Sequence, residues 1–399
     1  MDVFVARQPI FNKHQKIYAY ELLFRNGLVN AFPSVDGAEA TSSLLSSSFF
    51  TIGIEQIASG HKAFINFTAE MLVRGVPALL PKDNIVVEIL ENVQPTAEVI
   101  AACRDLVNKG YVLALDDFVY CKALIPLIEL AQIIKVDFGL LSIVEIAEMV
   151  QVLKKYSCKL LAEKIETNEE FLLAGSMGFV YFQGYFFSKP EILKNKDIAC
   201  SQLALLQLVV ELSRTEFEID DIEKLVNNDI SISFKLLTYL NSAYYARSQP
   251  ISSIRQAIAF LGEKGTRLFV SLIVMSKLSA NKPDELIRTS CIRARFLALI
   301  GQQLKLDESI FFMLGLFSML DAILDMSMAA LMQQLRVSDD ISGALISKTG
   351  ILFPYLQLIQ LYEAGEWESL DAALQKLELD EHKIMDFYLD AIQWAKNFI

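Results

Sequence analysis

The chain is 399 residues long, carries a net charge of −12 and is 53% apolar. At about 100–200 residues per domain, two domains are the natural expectation, and the apolar fraction is enough to fill sizeable cores and excludes a disordered chain. An acidic surface repels phosphate backbones, so non-specific nucleic-acid binding is excluded as a function class. The five cysteines, Cys103, Cys121, Cys158, Cys200 and Cys291, form no CxxC pair. Free thiols in a reducing cytoplasm are expected, not a disulfide framework or a zinc site.

The opening MDVFVARQPIF lacks the basic stretch of a secretory leader. In the first half, apolar runs recur at KAFINF (62–67), NIVVEIL (84–90), YVLALDDF (111–118), QIIKVDF (132–138), CKLLAEKI (158–165) and FVYFQGYFF (179–187). Helical segments lie between most of them. AEVIAACRDLVNKG has apolar residues at helical spacing and Gly110 placed to end the helix. This alternation predicts an α/β fold with a parallel sheet or barrel.

The character changes near residue 191, and from there the segments have helical period. Asp220 and Ser252 are candidate N-caps, and Gly262 is a candidate helix stop. The run IFFMLGLFSMLDAIL (310–324) contains Asp321 and is too short and polar for a membrane span; it reads as a buried core helix, and no membrane partner is expected. The expected organisation is an α/β barrel over residues 1–195 and a separate all-α domain over 196–399.

Polar residues sit where the apolar strands run out: Asn66, Glu88, Asp116, Asp117, Lys135 and Glu163. In a βα-barrel the strand C-termini converge at one mouth. Several carboxylates there need a positive partner, and Mg²⁺ or Mn²⁺ prefer such oxygen ligands. Asp116–Asp117 could serve two metals, as in water-activating phosphodiester cleavage. One acid at a strand end is ordinarily a loop cap or a solvated charge. The full set leaves both readings standing.

These residues resemble the EAL family of cyclic di-GMP phosphodiesterases. YELLFR (20–25) is similar to the EAL-x-R signature, keeping Glu21 and Arg25. INFT (65–68), VEILE (87–91), LDDF (115–118), KVD (135–137), AEKIET (162–167) and FQGYFFSKP (182–190) resemble the later motifs in order. The resemblance implies a modified TIM-type (β/α)₈ barrel that hydrolyses cyclic di-GMP to linear pGpG. It implies Glu21, Asn66, Glu88 and Asp116 on one Mg²⁺ or Mn²⁺, and Asp116 with Asp117 on a second. Lys135 and Glu163 would position and deprotonate water, Glu166 would brace the loop after Asp117, Arg25 would contact a phosphate, and Gln183 would line the pocket.

Three departures bear on activity. Leu22 replaces an alanine, Val119 stands where a glycine usually follows DDF, and Lys164 replaces another glycine. Val119 is β-branched and stiff, so Asp117 is expected to turn away from the second metal while Asp116 binds the first. The second half resembles the HDOD domain, carried by residues 222–262 and by RARFLALIG and GLFSMLDAIL. That implies an interaction or output module with an unidentified protein partner. The chain has three histidines, of which only His382 lies in this half, so no metal chemistry is expected there. The resemblance leaves open a homodimer. It also leaves open three functions: a phosphodiesterase, a catalytically weak or inactive cyclic di-GMP receptor, and a protein-interaction scaffold.

Overall fold

The computed structural model describes residues 5–24, 53–189, 240, 251, 253–278, 282–335 and 337–396. Arg25, Cys200, Asp220, Ser252 and most of the stretch 222–262 lie outside the described residues. The chain divides into two compact units. The first is Met1–Lys189 with Gln360–Ala372, and the second is Pro190–Ile359 with Ala373–Ile399.

The first unit holds an eight-stranded closed barrel. Its strands are β1 (Val5–Asn12), β2 (Ile17–Phe24), β3 (Lys62–Phe67), β4 (Ile85–Ile89), β5 (Val112–Leu115), β6 (Ile133–Asp137), β7 (Lys159–Glu163) and β8 (Tyr181–Gln183). Neighbours from β2 to β8 run parallel. β1 runs antiparallel to both β2 and β8 and closes the ring. The six apolar runs read from the sequence become β3 to β8. The hairpin β1–β2 was not among them.

One residue from every strand meets in the barrel interior: Ile10, Ala19, Phe64, Val86, Ala114, Ile133, Leu161 and Tyr181. This plug excludes water from the floor beneath the strand C-termini. The helices that follow β3, β4, β6 and β7 start at defined points, because Thr68, Thr96, Ser142 and Thr167 each accept a hydrogen bond from a first-turn N–H. Such caps contribute about 1 kcal/mol each and set where each loop at the mouth ends. The helix Ala97–Asn108 ends before Gly110, whose φ is 90°.

Strand β8 is shorter than its apolar run because Gly184 turns the chain at φ 139°. A Cβ there would lie 2.2 Å from the Ile165 carbonyl oxygen. Only glycine fits, and the close approach ties the end of β8 to the loop after β7: the Ile165 N–H donates to the Gln183 carbonyl at 3.0 Å.

In the second unit the described elements are helical. Gly262 interrupts the helical segment Ile254–Leu278 with φ 67° and ψ 178°, as its reading as a helix stop anticipated. The run 310–324 is mostly buried, but it is two helices, Glu308–Phe317 and Leu320–Leu324, not one. Ser318 turns back to cap the first, its hydroxyl donating to the Gly315 carbonyl at 2.7 Å. The buried Ser290 hydroxyl, on helix Asp284–Gln303, donates to the Leu316 carbonyl at 2.8 Å. Among the described residues, no helix is long and apolar enough to cross a membrane.

Gly184→Ala is expected to destabilise the protein by at least ~2 kcal/mol, since strained backbone and forced overlap each cost about 1–3 kcal/mol. Urea unfolding at equilibrium checks this; a midpoint unchanged from the parent would contradict it.

Candidate active site at the barrel mouth

Side chains two residues apart on a strand share a face. Counting two residues from each plug position toward the strand C-termini replaces the apolar layer with a polar one. Ala19 gives way to Glu21, Phe64 to Asn66, Val86 to Glu88, Ala114 to Asp116, Ile133 to Lys135, Leu161 to Glu163 and Tyr181 to Gln183. On antiparallel β1 the step runs the other way, from Ile10 to Gln8. Glu21, Asn66, Glu88, Lys135, Glu163 and Gln183 are all buried.

Lys135 stands at the centre of this layer. Its ammonium lies 2.9 Å from Asp116 Oδ1, 2.8 Å from Glu163 Oε1 and 3.5 Å from Glu21 Oε2, and it is ion-paired with Glu88. Burial alone would favour neutral lysine, but the four carboxylates outweigh it and hold the ammonium well above its usual range. One cation cannot satisfy four anions. Burial, reinforced by the neighbouring acids, pushes Glu88 and Glu163 well above the usual carboxylate range despite Lys135. Burial also opposes ionisation of Asp116, but Lys135 and the hydrogen bonds around it win and lower its pKa.

Four buried atoms in this region have no hydrogen-bond partner: Asn66 Oδ1, Glu88 Oε2, Glu163 Oε2 and Gln183 Oε1. All four are acceptors. Leaving a buried acceptor unsatisfied costs about 1–3 kcal/mol, so the set calls for a positive or donating group. Asp116, Asp117 and Glu163 also offer carboxylate oxygens within 4.8 Å of one another. Oxygen-only donors of net negative charge suit a hard divalent cation. Asn66, Asp116, Asp117, Glu163 and Gln183 line a cavity of about 620 Å³ that also reaches Leu23, Lys164, Glu166, Ala364 and Gly365.

Two expectations need correction. Asp117 is not turned away from its neighbours, since its carboxylate stays within reach of Asp116 and Glu163. The positive φ needed in this loop falls on Asp117 itself, at 39°, and aspartate tolerates this region better than most residues. Val119 is thereby spared it and lies 56% exposed. The Phe118 N–H donates to the Lys135 carbonyl at 2.9 Å and anchors the loop. Burial and the adjacent Asp116 raise the pKa of Asp117.

Glu166 does not brace that loop. Its side chain is 62% exposed at the rim of the cavity and pairs with Lys189 Nζ at 2.7 Å. Lys164 takes up φ 54° where a glycine was expected and is ion-paired with the buried Asp137. Sequence reasoning missed Gln8, whose side chain accepts from Gln183 Nε2 at 3.0 Å. Its place two residues from Ile10 was the available signal, but the strand had not been recognised.

Family models for the EAL domain and the HDOD domain match residues 39–190 and 202–339. The cyclic di-GMP phosphodiesterase CdgJ of Vibrio cholerae serotype O1 is 38% identical over 399 residues, spanning 99% of this chain and 92% of that protein. The uncharacterized protein YuxH of Bacillus subtilis strain 168 is 34% identical over 411 residues, covering 100% and 99%. The crystal structure of the Bacillus subtilis YkuI protein, which has an EAL domain and holds substrate c-di-GMP and calcium, is 20% identical with a TM-score of 0.38, covering 57% of this chain and 71% of that one. That likeness is too slight to carry an argument. The two domain matches in order, with the near full-length identity to CdgJ, show that this chain belongs to the EAL–HDOD family.

Proposed function

We propose that the protein hydrolyses cyclic di-GMP to linear pGpG at the polar layer of the barrel. The observation that carries this reading is the group of four buried, unpartnered acceptor atoms beside a ring of carboxylates. The cavity, about 620 Å³, is within the range of small-ligand sites. The likeness to CdgJ adds the substrate class.

Glu21, Asn66, Glu88 and Asp116 would hold one divalent cation, Mg²⁺ or Mn²⁺, and Asp116 with Asp117 a second. When bound, such ions lower the pKa of water and neutralise charge building on the phosphate. The chain's own residues do the rest. Lys135 stays protonated and holds Asp116 and Glu163 by hydrogen bonds. Glu163 keeps one oxygen unpartnered, which suits it, once ionised, to accept the proton of the attacking water. Water oxygen bonds to phosphorus, the bond to the 3′ oxygen breaks, and that oxygen takes up a proton from solvent and leaves as a hydroxyl, while Glu163 later returns the water's proton to solvent. Gln183 Oε1 remains an acceptor for a substrate donor.

A second reading, a receptor that binds without cleaving, draws on Lys164. It brings an extra ammonium into the cavity lining beside Asp117, which opposes binding of a second cation. The helical half serves as the interaction module for a protein partner, and self-association remains a role open to the family. The described cysteines are free thiols, in keeping with a cytoplasmic protein.

Incubation with cyclic di-GMP and Mg²⁺ or Mn²⁺ is expected to yield pGpG, and excess EDTA to stop it. Tight binding with no product would favour the receptor, and neither binding nor product would refute both. Glu163→Gln is expected to lower kcat by about 10²–10⁴-fold, the usual contribution of a positioned base, with cyclic di-GMP affinity retained. Lys135→Met is expected to destabilise the metal-free protein by ~3–5 kcal/mol, because it strands buried charges. Mn²⁺ should then raise the melting temperature of this variant more than that of the parent, since the ion supplies the missing positive charge. Equal shifts in differential scanning calorimetry would count against a cation at this site.

A further inference from the structure

The segment Gln360–Ala372 belongs to the barrel's unit, yet it lies outside the residues matched by either family model. It contains the end of helix Phe353–Ala364 and the turn at Gly365, whose φ is 71°. Two bonds tie it to β1. The buried Tyr362 hydroxyl donates to the Val5 carbonyl at 3.3 Å, and Gln8 Nε2 donates to the Ala364 carbonyl at 3.4 Å. Gly365 faces Leu23 on β2 so closely that a Cβ would sit 2.8 Å from Leu23 Cδ1.

The Ala364 carbonyl can only accept. It draws the amide nitrogen of Gln8 toward itself and leaves Gln8 Oε1 for the interior. That oxygen accepts from Gln183 Nε2 at 3.0 Å, and the same nitrogen donates to Glu21 Oε2 at 2.7 Å. Gln183 therefore presents its oxygen, not its nitrogen, as the free atom. With the Gln8 amide reversed, two amino groups would face each other. The Ala364 carbonyl at one end of this line and the Glu21 carboxylate at the other both accept, and this orientation of the two glutamines satisfies both.

We propose that the Ala364–Gly365 turn is a positioning element of the catalytic layer, setting the amide orientation of Gln8 and Gln183 and the seat of Glu21. The proposal rests on the reading of Glu21 as a cation ligand. A Cβ at Gly365 adds left-handed strain and meets Leu23 Cδ1, so the turn or the Leu23 side chain must shift, and the bond from Gln8, already long, is exposed to that shift.

The test uses the full-length protein and Mn²⁺ titrated by calorimetry. Gly365→Ala and Gln8→Leu are each expected to weaken Mn²⁺ binding by about tenfold, the lower end of what groups orienting a metal ligand contribute. Gly350→Ala is the control: its φ is 89° and nothing lies within 4 Å of the added carbon, so it carries the same backbone strain without touching the site. Leu23→Ala combined with Gly365→Ala should recover most of the affinity by removing the atom the new Cβ strikes. Gly365→Ala and Gln8→Leu proteins that bind Mn²⁺ as tightly as the Gly350→Ala protein would overturn the proposal. Cyclic di-GMP turnover is read in parallel. A parent that binds Mn²⁺ but neither binds nor cleaves cyclic di-GMP would sink the proposed function, while the Mn²⁺ comparison still decides the role of the turn. Should Gly365→Ala fail to fold, Gln8→Leu alone decides it.

Discussion

One buried ammonium among four carboxylates is the interaction on which the barrel's polar end depends. Lys135 reaches Glu21, Glu88, Asp116 and Glu163 from a single strand position. The apolar plug directly beneath removes the water that would otherwise screen these charges. A buried ionic cluster of this kind is a poor source of stability, because desolvation of each ion offsets much of the attraction. Its imbalance, with more anions than cations and several acceptors left without donors, makes this end of the barrel electrostatically suited to a further positive charge.

The rest of the architecture serves to hold that imbalance in place. Strand pairing sets the height of each polar side chain, since Asn66 stands opposite Glu88 and Asp137 opposite Glu163 in the parallel ladder. The loops are held at the strand ends by short backbone links, such as Phe118 to Lys135 and Ile165 to Gln183. Strain is placed where residues tolerate it. Asp117 and Lys164 take up left-handed conformations beside the cavity, and glycine occupies position 184, where no side chain fits. Left-handed backbone at non-glycine residues costs about 1–3 kcal/mol and is commonly retained at functional sites.

The polar layer is also connected to distant chain. Gln8 belongs to the first strand, Gln183 to the last and Ala364 to a segment far beyond both family matches, yet the three share one line of hydrogen bonds. Neutral amides suit this task. Each carries both a donor and an acceptor, so its orientation is set by its neighbours and passes that choice on. Carboxylates in the same places would add to a charge already in excess.

Much of this was legible in the sequence. Strands β3 to β8 stand out because parallel strands buried on both faces read as continuous apolar runs. Asn66, Glu88, Lys135 and Glu163 stand out because they interrupt those runs at their ends, and a period of two is a local property of the chain. Strands β1 and β2 were less legible. They form the reversed corner of the barrel, and their pairing with β8 follows from closure. The conformation of Asp117, the outward pairing of Glu166 with Lys189 and the approach of Gly365 to Leu23 had no signal in residue order. The sequence by itself determined the face on which each strand carries its polar residue, because alternation is dictated by the geometry of one extended chain. Which of those residues meet as partners was decided only by tertiary structure, because ring closure brings together groups whose separation along the chain bears no relation to their distance in space.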